Sequence, residues 1–240
     1  MPDTDRICPR CNQVWGPDHQ FCPVDGHTLL VVAKTDDSRV GQVVDGRFTL
    51  LGVLGTGGMG AVYRALQHTM EREVAIKILR RSFAEDPGTV QRFLQEAKFA
   101  SKVHHPNVIT LFDFGQTAEG ELYLAMELLR GRTLRDVQDE EGPIDLSRAG
   151  AILGQVCDAL GAAHEGGVVH RDLKPENIFV LEGAGSTGEF VKVIDFGIAK
   201  VQAVAGTEAI TQAGMVFGTP QYMSPEQALG QEVDGRSDLY

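Results

Sequence analysis

Residues 170–177 read His170-Arg171-Asp172-Leu173-Lys174-Pro175-Glu176-Asn177. This stretch places an acid, a cation and an amide within eight residues. Mainly apolar residues occupy 167–169 before it and 178–180 after it, which predicts a short strand on each side. Because proline restricts the backbone, the pattern favours a tight loop in which the polar side chains converge.

These side chains suit the transfer of a phosphoryl group from a nucleotide to a hydroxyl. Asp172 can accept the hydroxyl proton, and Lys174 can neutralise charge on the phosphoryl group. Asn177 can offer an oxygen ligand to Mg²⁺. An isolated Asp-x-Lys would indicate only a charged surface loop, whereas eight ordered residues are a far more specific signal.

The segment HRDLKPEN resembles the catalytic loop of eukaryotic-type protein kinases, in the serine/threonine branch and of the bacterial kind. The resemblance covers residues 48–240. It implies an α+β, bilobal protein-kinase-like fold, with a β-rich N-lobe at 48–129 and a helical C-lobe at 130–240. Asp172, Lys174, Lys77 and Glu96 would then be the catalytic residues.

The composition limits the choice of partners. Lys and Arg number 22 against 33 Asp and Glu, so the net charge of −11 argues against nucleic acid or an anionic membrane as the main partner. No apolar run approaches the roughly 18 residues of a membrane helix, and the N-terminus lacks a secretory signal. We therefore expect a cytoplasmic protein.

Residues 1–30 carry three of the four cysteines, at the spacing of two metal-binding knuckles. They resemble a zinc ribbon in which Asp25 replaces a fourth cysteine, with Cys8, Cys11 and Cys22 as the other Zn²⁺ ligands. His19, His27 or water are alternatives to Asp25, and a tail with reduced thiols is the alternative to a ribbon. The partner of the ribbon stays open, and residues 31–47 are predicted to be a linker and lead-in.

A glycine-rich segment follows the predicted strand at 48–54. GxGxxG alone also occurs in dinucleotide-binding folds, but strand-like residues continue after it, so a β-hairpin over the phosphates of ATP is favoured. The residues predicted to contact the nucleotide here are Leu54, Gly55, Thr56, Gly57, Gly58, Met59, Gly60 and Val62.

Lys77 and Glu96 are predicted to form an ion pair. Lys77 shares a strand face with Ala75, a further nucleotide contact, and Glu96 lies on the apolar stripe of a helix at 91–103. By the resemblance, this pair orients the lysine toward the α- and β-phosphates. Adenine would contact Glu127 and Leu129 of the hinge and Phe179 beneath it.

The second lobe supplies the remaining groups. Asp145 is predicted to cap a helix that ends near Glu165, with Cys157 as inert core. Asp195 ends an alternating apolar strand and begins a DFG-like motif, so Asp195 and Asn177 are the expected Mg²⁺ ligands.

Residues 198–223 resemble an activation loop. Thr207 and Thr211 are the predicted regulatory phosphorylation sites, Arg171 can engage their phosphates, and Ser224 replaces the alanine of the family's APE segment. In the family, residues 234–240 begin a buried helix that anchors the catalytic loop, and further helices follow. We expect a lobe without them to position Asp172 poorly.

The sequence therefore predicts an ATP- and Mg²⁺-dependent protein kinase that phosphorylates Ser/Thr in protein substrates and itself in trans. Two alternatives stay open. One is a catalytically impaired nucleotide-binding fragment or scaffold, and the other is a protein whose function lies in a zinc-ribbon binding module.

Overall fold

The structure is a computed structural model, which describes residues 4–11, 13–33, 37–117, 119–183, 189–196 and 220–240. The chain divides into two compact units. The first comprises Met1–Val90 and Leu111–Leu128, and the second comprises Gln91–Thr110 and Leu129–Tyr240. Within the described residues, no helix combines the length and apolar character needed to cross a membrane.

The first unit begins with a small antiparallel sheet that contains the cysteine-rich segment. Its strands are β1 (Thr4–Ile7), β2 (Val14–Trp15) and β3 (Leu30–Ala33), in the order β2-β1-β3. Residues 31–33 pair with β1 and so belong to the sheet of the cysteine-rich segment, whereas the sequence predicted them to lie in the linker. The predicted boundary at residue 30 falls three residues short of the end of this strand.

A six-stranded antiparallel sheet forms the rest of the first unit. Its strands are β4 (Val43–Val44), β5 (Phe48–Gly57), β6 (Gly60–Gln67), β7 (Arg72–Leu79), β8 (Leu111–Gln116) and β9 (Leu122–Glu127). Their order in the sheet is β4-β5-β6-β7-β9-β8, and a 3-10 helix at Arg81–Ala84 follows β7. Buried Phe48, Leu50, Tyr63, Ile76 and Tyr123 pack in its core.

The glycine-rich segment forms the predicted hairpin. Strands β5 and β6 pair in antiparallel register up to Gly57 and Gly60, which leaves Gly58 and Met59 as a two-residue turn. A dinucleotide-binding fold would instead place a helix after the third glycine. The pairing of β6 with β5 and β7 excludes that alternative.

The second unit is mainly helical and, among its described residues, carries a small sheet whose three strands lie in chain order. Helix α1 (Pro87–Ala100) begins in the first unit and continues into the second. The other elements are β10 (Gly131–Thr133), α2 (Leu134–Glu141), α3 (Leu146–Glu165), β11 (Ile178–Leu181), β12 (Val191–Val193), α4 (Pro225–Ala228) and 3-10 helices at Pro175–Asn177, Pro220–Tyr222 and Gly235–Leu239.

Helix α3 confirms the prediction from its capping residue. The Asp145 carboxylate accepts hydrogen bonds from the N–H groups of Ser147 and Arg148, at 2.9 and 3.0 Å, and the helix ends at Glu165. Its apolar stripe, which includes Ile152 and Val156, is buried against β11 and β12. The prediction for Cys157 was wrong, because this residue is exposed. Cys157 follows Val156, and one residue along a helix rotates the side-chain direction by about 100°, so Cys157 lies off the buried stripe.

Candidate active site

The catalytic-loop segment is held by the carboxylate of Asp238. This side chain is only 1% exposed and accepts hydrogen bonds from three N–H donors, each at 2.7 Å. Two of them are the backbone N–H groups of His170 and Arg171, and the third is Nε2 of His164. A buried carboxylate is tolerated when several donors satisfy it. The expectation that residues 234–240 anchor the loop is therefore confirmed, although the sequence did not single out Asp238.

This anchoring explains why residues 167–169 do not form the predicted strand. The N–H groups of His170 and Arg171 are already bound to Asp238, and Val168 N–H donates to the Ala163 carbonyl at the end of α3. Arg171 has φ 63°, which turns the chain sharply at this point. A backbone whose donors serve a side chain and a helix end cannot continue a sheet ladder. The strand predicted after the loop is present as β11.

His170 is fully buried and supports the loop from inside. Its Nε2 donates to the Ile194 carbonyl at 2.9 Å, and its Nδ1 accepts from the Asp172 N–H at 3.2 Å. One donor and one acceptor define a neutral imidazole. Burial lowers the pKa of His170, although the carboxylates of Asp238, Asp172 and Asp195 oppose the shift. The Phe196 ring covers His170 with 4.8 Å between ring centroids.

The three predicted polar residues of the loop do converge. Lys174 Nζ lies 3.5 Å from Asp172 Oδ2. The Asn177 amide nitrogen donates to the Asp172 backbone carbonyl at 2.8 Å and lies 3.3 Å from Asp172 Oδ2. With Nδ2 bound to Asp172, the other amide atom of Asn177 is an oxygen, the ligand type that Mg²⁺ prefers.

Asp195 follows β12 and lies beside the end of the loop. The N–H of the preceding Ile194 donates to the Asn177 backbone carbonyl at 2.9 Å. Asp195 itself has φ 57°, a conformation that is uncommon outside glycine and clusters at functional sites. The fold therefore brings the two predicted Mg²⁺ ligands, Asn177 and Asp195, onto adjoining backbone segments. Phe179 lies in β11, opposite Thr133 and Lys192.

Glu96 pairs with Arg171 at 3.2 Å, a contact within the second unit that the sequence did not predict. Phe99, Val168 and Phe196 line a cavity beside this pair. Burial raises the pKa of Glu96 to about 7, although the charges of Arg171 and Arg92 oppose the shift. The predicted pairing of Glu96 with Lys77 joins residues of different units and stays a prediction.

In the first unit, the predicted nucleotide-contact residues lie in one row across the sheet. Gly55 pairs with Val62, Val62 with Lys77, and Lys77 with Leu124. Side chains directly opposite one another in a sheet share a face, so Val62 and Lys77 lie on the same side, and Ala75 lies two residues from Lys77 on that side. Leu54, Thr56, Gly57 and Gly58 are exposed at the end of the hairpin, whereas Met59 and Gly60 are half-buried.

Other predicted residues are placed by their elements. Glu127 is the last residue of β9, and Leu129 lies between β9 and β10.

Ser224 caps α4 and forms a capping box with Gln227, whose amide nitrogen also donates to the Arg171 carbonyl at 2.8 Å. A serine suits this cap better than the alanine of the family pattern. Thr207 and Thr211 lie outside the described residues.

The cysteine-rich segment brings its four predicted metal ligands together. The ligand atoms of Cys8, Cys11, Cys22 and Asp25 all lie within 4.8 Å of one another. Cys8 Sγ is 3.3 Å from an Asp25 oxygen, and the Sγ atoms of Cys11 and Cys22 are 3.6 Å apart. Tetrahedral zinc with bonds of about 2.3 Å to sulfur separates its ligands by roughly 3.5–3.8 Å, so the set fits this metal. Neither His19 nor His27 belongs to the metal-binding group found among the described residues.

Comparisons with known proteins agree with this geometry. The sequence model of one family, the protein kinase domain, matches residues 48–240. Serine/threonine-protein kinase Pkn3 of Myxococcus xanthus is 47% identical over 205 residues, which cover 85% of this chain and 37% of that protein. Serine/threonine-protein kinase PknB of Mycobacterium leprae is 43% identical over 197 residues, which cover 81% and 30% of the two chains.

A solved structure is similar as well. The PknI kinase domain of Mycobacterium tuberculosis superposes with a TM-score of 0.66 at 28% identity, covering 83% of this chain and 71% of that one. The chain spans only about a third of the curated relatives' lengths, 37% and 30%. The match over residues 48–240 and the convergence of Asp172, Lys174 and Asn177 lead to one conclusion: this chain belongs to the protein kinase family, and its relatives are bacterial serine/threonine kinases.

Proposed function

We propose that this chain transfers the γ-phosphoryl group of ATP to Ser and Thr hydroxyls of proteins. The observation that carries the proposal is the arrangement of the 170–177 loop, where Lys174 and Asn177 both approach the carboxylate of Asp172. Kinase relatives with 43–47% identity support the same activity. Cytoplasmic location stays a prediction from the sequence.

Each group has a role that follows from its chemistry. Asp172 orients the substrate hydroxyl and accepts its proton, while the ammonium of Lys174 offsets negative charge on the moving phosphoryl group. Asn177 and Asp195 supply oxygen ligands to the Mg²⁺ that ATP brings. In the first unit, Lys77 and the backbone N–H groups of the glycine-rich hairpin bind phosphates. Positioning and electrostatics supply most of the catalysis, since the transition state is loose.

A phosphotransfer assay with labelled ATP and a general protein substrate tests this proposal. Asp172→Asn removes the proton acceptor and should lower turnover by about 10²–10⁴-fold, with nucleotide affinity retained. Asp158→Asn, an exposed position on α3, is the matched control and should keep full turnover. If the wild-type chain binds ATP but transfers no phosphoryl group, the alternative of a nucleotide-binding scaffold is supported instead.

We also propose self-phosphorylation in trans at Thr207 and Thr211. The support is chemical: both lie in the segment that resembles an activation loop, and the cation of Arg171 can engage a phosphate. The test mixes wild-type chain with tagged Asp172→Asn chain and maps phosphate on the tagged molecule by mass spectrometry. Phosphate at either threonine supports the proposal, and its absence from both removes this mode of regulation.

A second proposal concerns the ribbon, which we infer binds one Zn²⁺ through Cys8, Cys11, Cys22 and Asp25. The approach of three sulfur atoms and a carboxylate to tetrahedral spacing supports it, and thiolate ligands favour zinc over harder cations. Elemental analysis of the purified full chain should find one zinc per chain. Cys22→Ser should lose it, whereas Cys157→Ser, outside the cluster, should retain it.

A further inference from the structure

The ribbon is packed against the six-stranded sheet of the first unit. Ile7 is fully buried and forms one apolar cluster with Leu51 and Leu66, and Leu30 and Val40 pack against this cluster. One polar contact adds to it, because Arg64 Nη2 donates to the Val31 carbonyl at 3.1 Å. The ribbon is thus packed against this sheet and is not a separate domain joined by a linker.

The apolar cluster is directly connected to the cysteine site. Ile7 ends β1, and Cys8 is the next residue in the chain. Successive residues of an extended chain point to opposite sides, so Ile7 faces the sheet while Cys8 faces the other ligands. The Cys8 N–H donates to the Gln13 carbonyl at 3.0 Å, which restrains the backbone at Cys8. Any constraint on the position of Cys8 therefore acts on Ile7.

The same cluster is directly connected to the glycine-rich hairpin. Leu51 belongs to β5 and Leu66 to β6, the two strands that the turn at Gly58 and Met59 joins. Arg64 lies on β6 between Leu66 and Val62, one of the predicted nucleotide contacts. The ribbon therefore covers Leu51 and Leu66, which lie on the two strands that would hold the phosphates.

By itself, a segment of about 30 residues has too little core to fold, so metal binding supplies part of the free energy that keeps the ribbon folded against the sheet. Loss of the metal then uncovers Leu51 and Leu66 and loosens the hairpin, which must be ordered when nucleotide binds. We propose that zinc binding at the cysteine site and nucleotide binding at the glycine-rich hairpin are thermodynamically coupled through the Ile7–Leu51–Leu66 cluster. This inference rests on the zinc and nucleotide sites of the proposed function.

The coupling is measured on the full chain, with and without zinc. The dissociation constant of a non-hydrolysable ATP analogue should rise about tenfold when zinc is removed, and the analogue should tighten zinc binding by the same factor, because coupling is reciprocal. Ile7→Ala keeps all four ligands, so it should bind zinc in the same stoichiometry but lose most of the effect of zinc on nucleotide affinity. Val14→Ala, an exposed apolar position on β2, is the matched control and should keep the full coupling.

Four results would overturn the inference, and each can be distinguished from the others. If zinc and the analogue both bind but neither changes the affinity of the other, the coupling is absent while both sites stand. If the chain binds no zinc, the metal site itself fails, and if the zinc-loaded chain binds no analogue, the nucleotide site fails. If the metal-free chain does not stay folded, the two variants are compared in their zinc-loaded form instead. Weaker binding of the analogue by Ile7→Ala but not by Val14→Ala supports the coupling. Equal binding of the analogue by the two variants overturns it.

Discussion

Arg171 and Glu96 form an ion pair in which Arg171 Nη1 lies 3.2 Å from Glu96 Oε1. The pair joins the 170–177 loop to helix α1. Glu96 was predicted from its helical position to be an inward-facing acid, and its side chain is 29% exposed and lines a cavity together with Phe99 and Phe196. The ion pair only partly offsets the cost of burying this carboxylate, because the net effect is a pKa of Glu96 raised to about 7.

This raised pKa predicts a pH-dependent stability difference between wild type and Glu96→Gln. The pKa of Glu96 lies above its ordinary value of 4.5. The protonated Glu96 carboxyl therefore adds to the free energy of unfolding below pH 4.5, and this stabilisation is lost as the pH rises through about 7. Between about pH 5 and pH 8, wild type should lose on the order of 2–3 kcal/mol of unfolding free energy relative to Glu96→Gln.

Urea denaturation at a series of pH values checks this prediction. Glu165→Gln, at an exposed position at the end of α3, controls for the removal of one surface charge. A stability difference between wild type and Glu96→Gln that does not change with pH would contradict it.

Asp238→Asn should destabilise the second unit and misplace the catalytic loop. An amide offers one acceptor oxygen where three N–H donors now converge, and its NH₂ group would face a donor. Leaving buried donors unpaired should lower the unfolding free energy by about 2–4 kcal/mol. Denaturation and phosphotransfer measure the two effects, with the exposed Asp158→Asn as control. Wild-type behaviour in both assays would show that the loop does not depend on this carboxylate.

His170 should stay neutral, with its proton on Nε2, at pH values where free imidazole is protonated. Burial lowers its pKa, so below its ordinary value of 6.5 the unfolded chain takes up a proton that the folded chain does not. Its contribution to stability is therefore lost as the pH falls. Nitrogen-15 NMR of labelled histidine reports the tautomer, and His170→Phe assigns the signal. Protonation of both ring nitrogens near neutral pH would refute this assignment.

Gly60→Ala should destabilise the glycine-rich hairpin, whereas Gly57→Ala should not. A Cβ at Gly60 would lie 2.0 Å from the Ile78 backbone carbonyl oxygen on β7, and a backbone atom cannot rotate away. A Cβ at Gly57 would have no neighbour within 4 Å. We expect a loss of about 1–3 kcal/mol for Gly60→Ala. Equal thermal stability of the two variants would contradict the close approach of β6 and β7.

Local sequence patterns determined much of this protein. The glycine-rich segment between two strand-like runs predicted a hairpin, and Asp145 predicted the start of α3. HRDLKPEN predicted the meeting of Asp172, Lys174 and Asn177. Each depends on residues close together in the chain, where turn chemistry, capping and spacing restrict the backbone directly.

Only the tertiary structure decided the contacts between distant segments. The sequence indicated neither the hydrogen bond from the His170 N–H to Asp238, 68 residues away, nor the ion pair of Arg171 with Glu96. It also missed the burial of Ile7 against Leu51 and Leu66. A carboxylate or a leucine has many partners of suitable chemistry along a chain, and only the packing of the whole unit selects one of them.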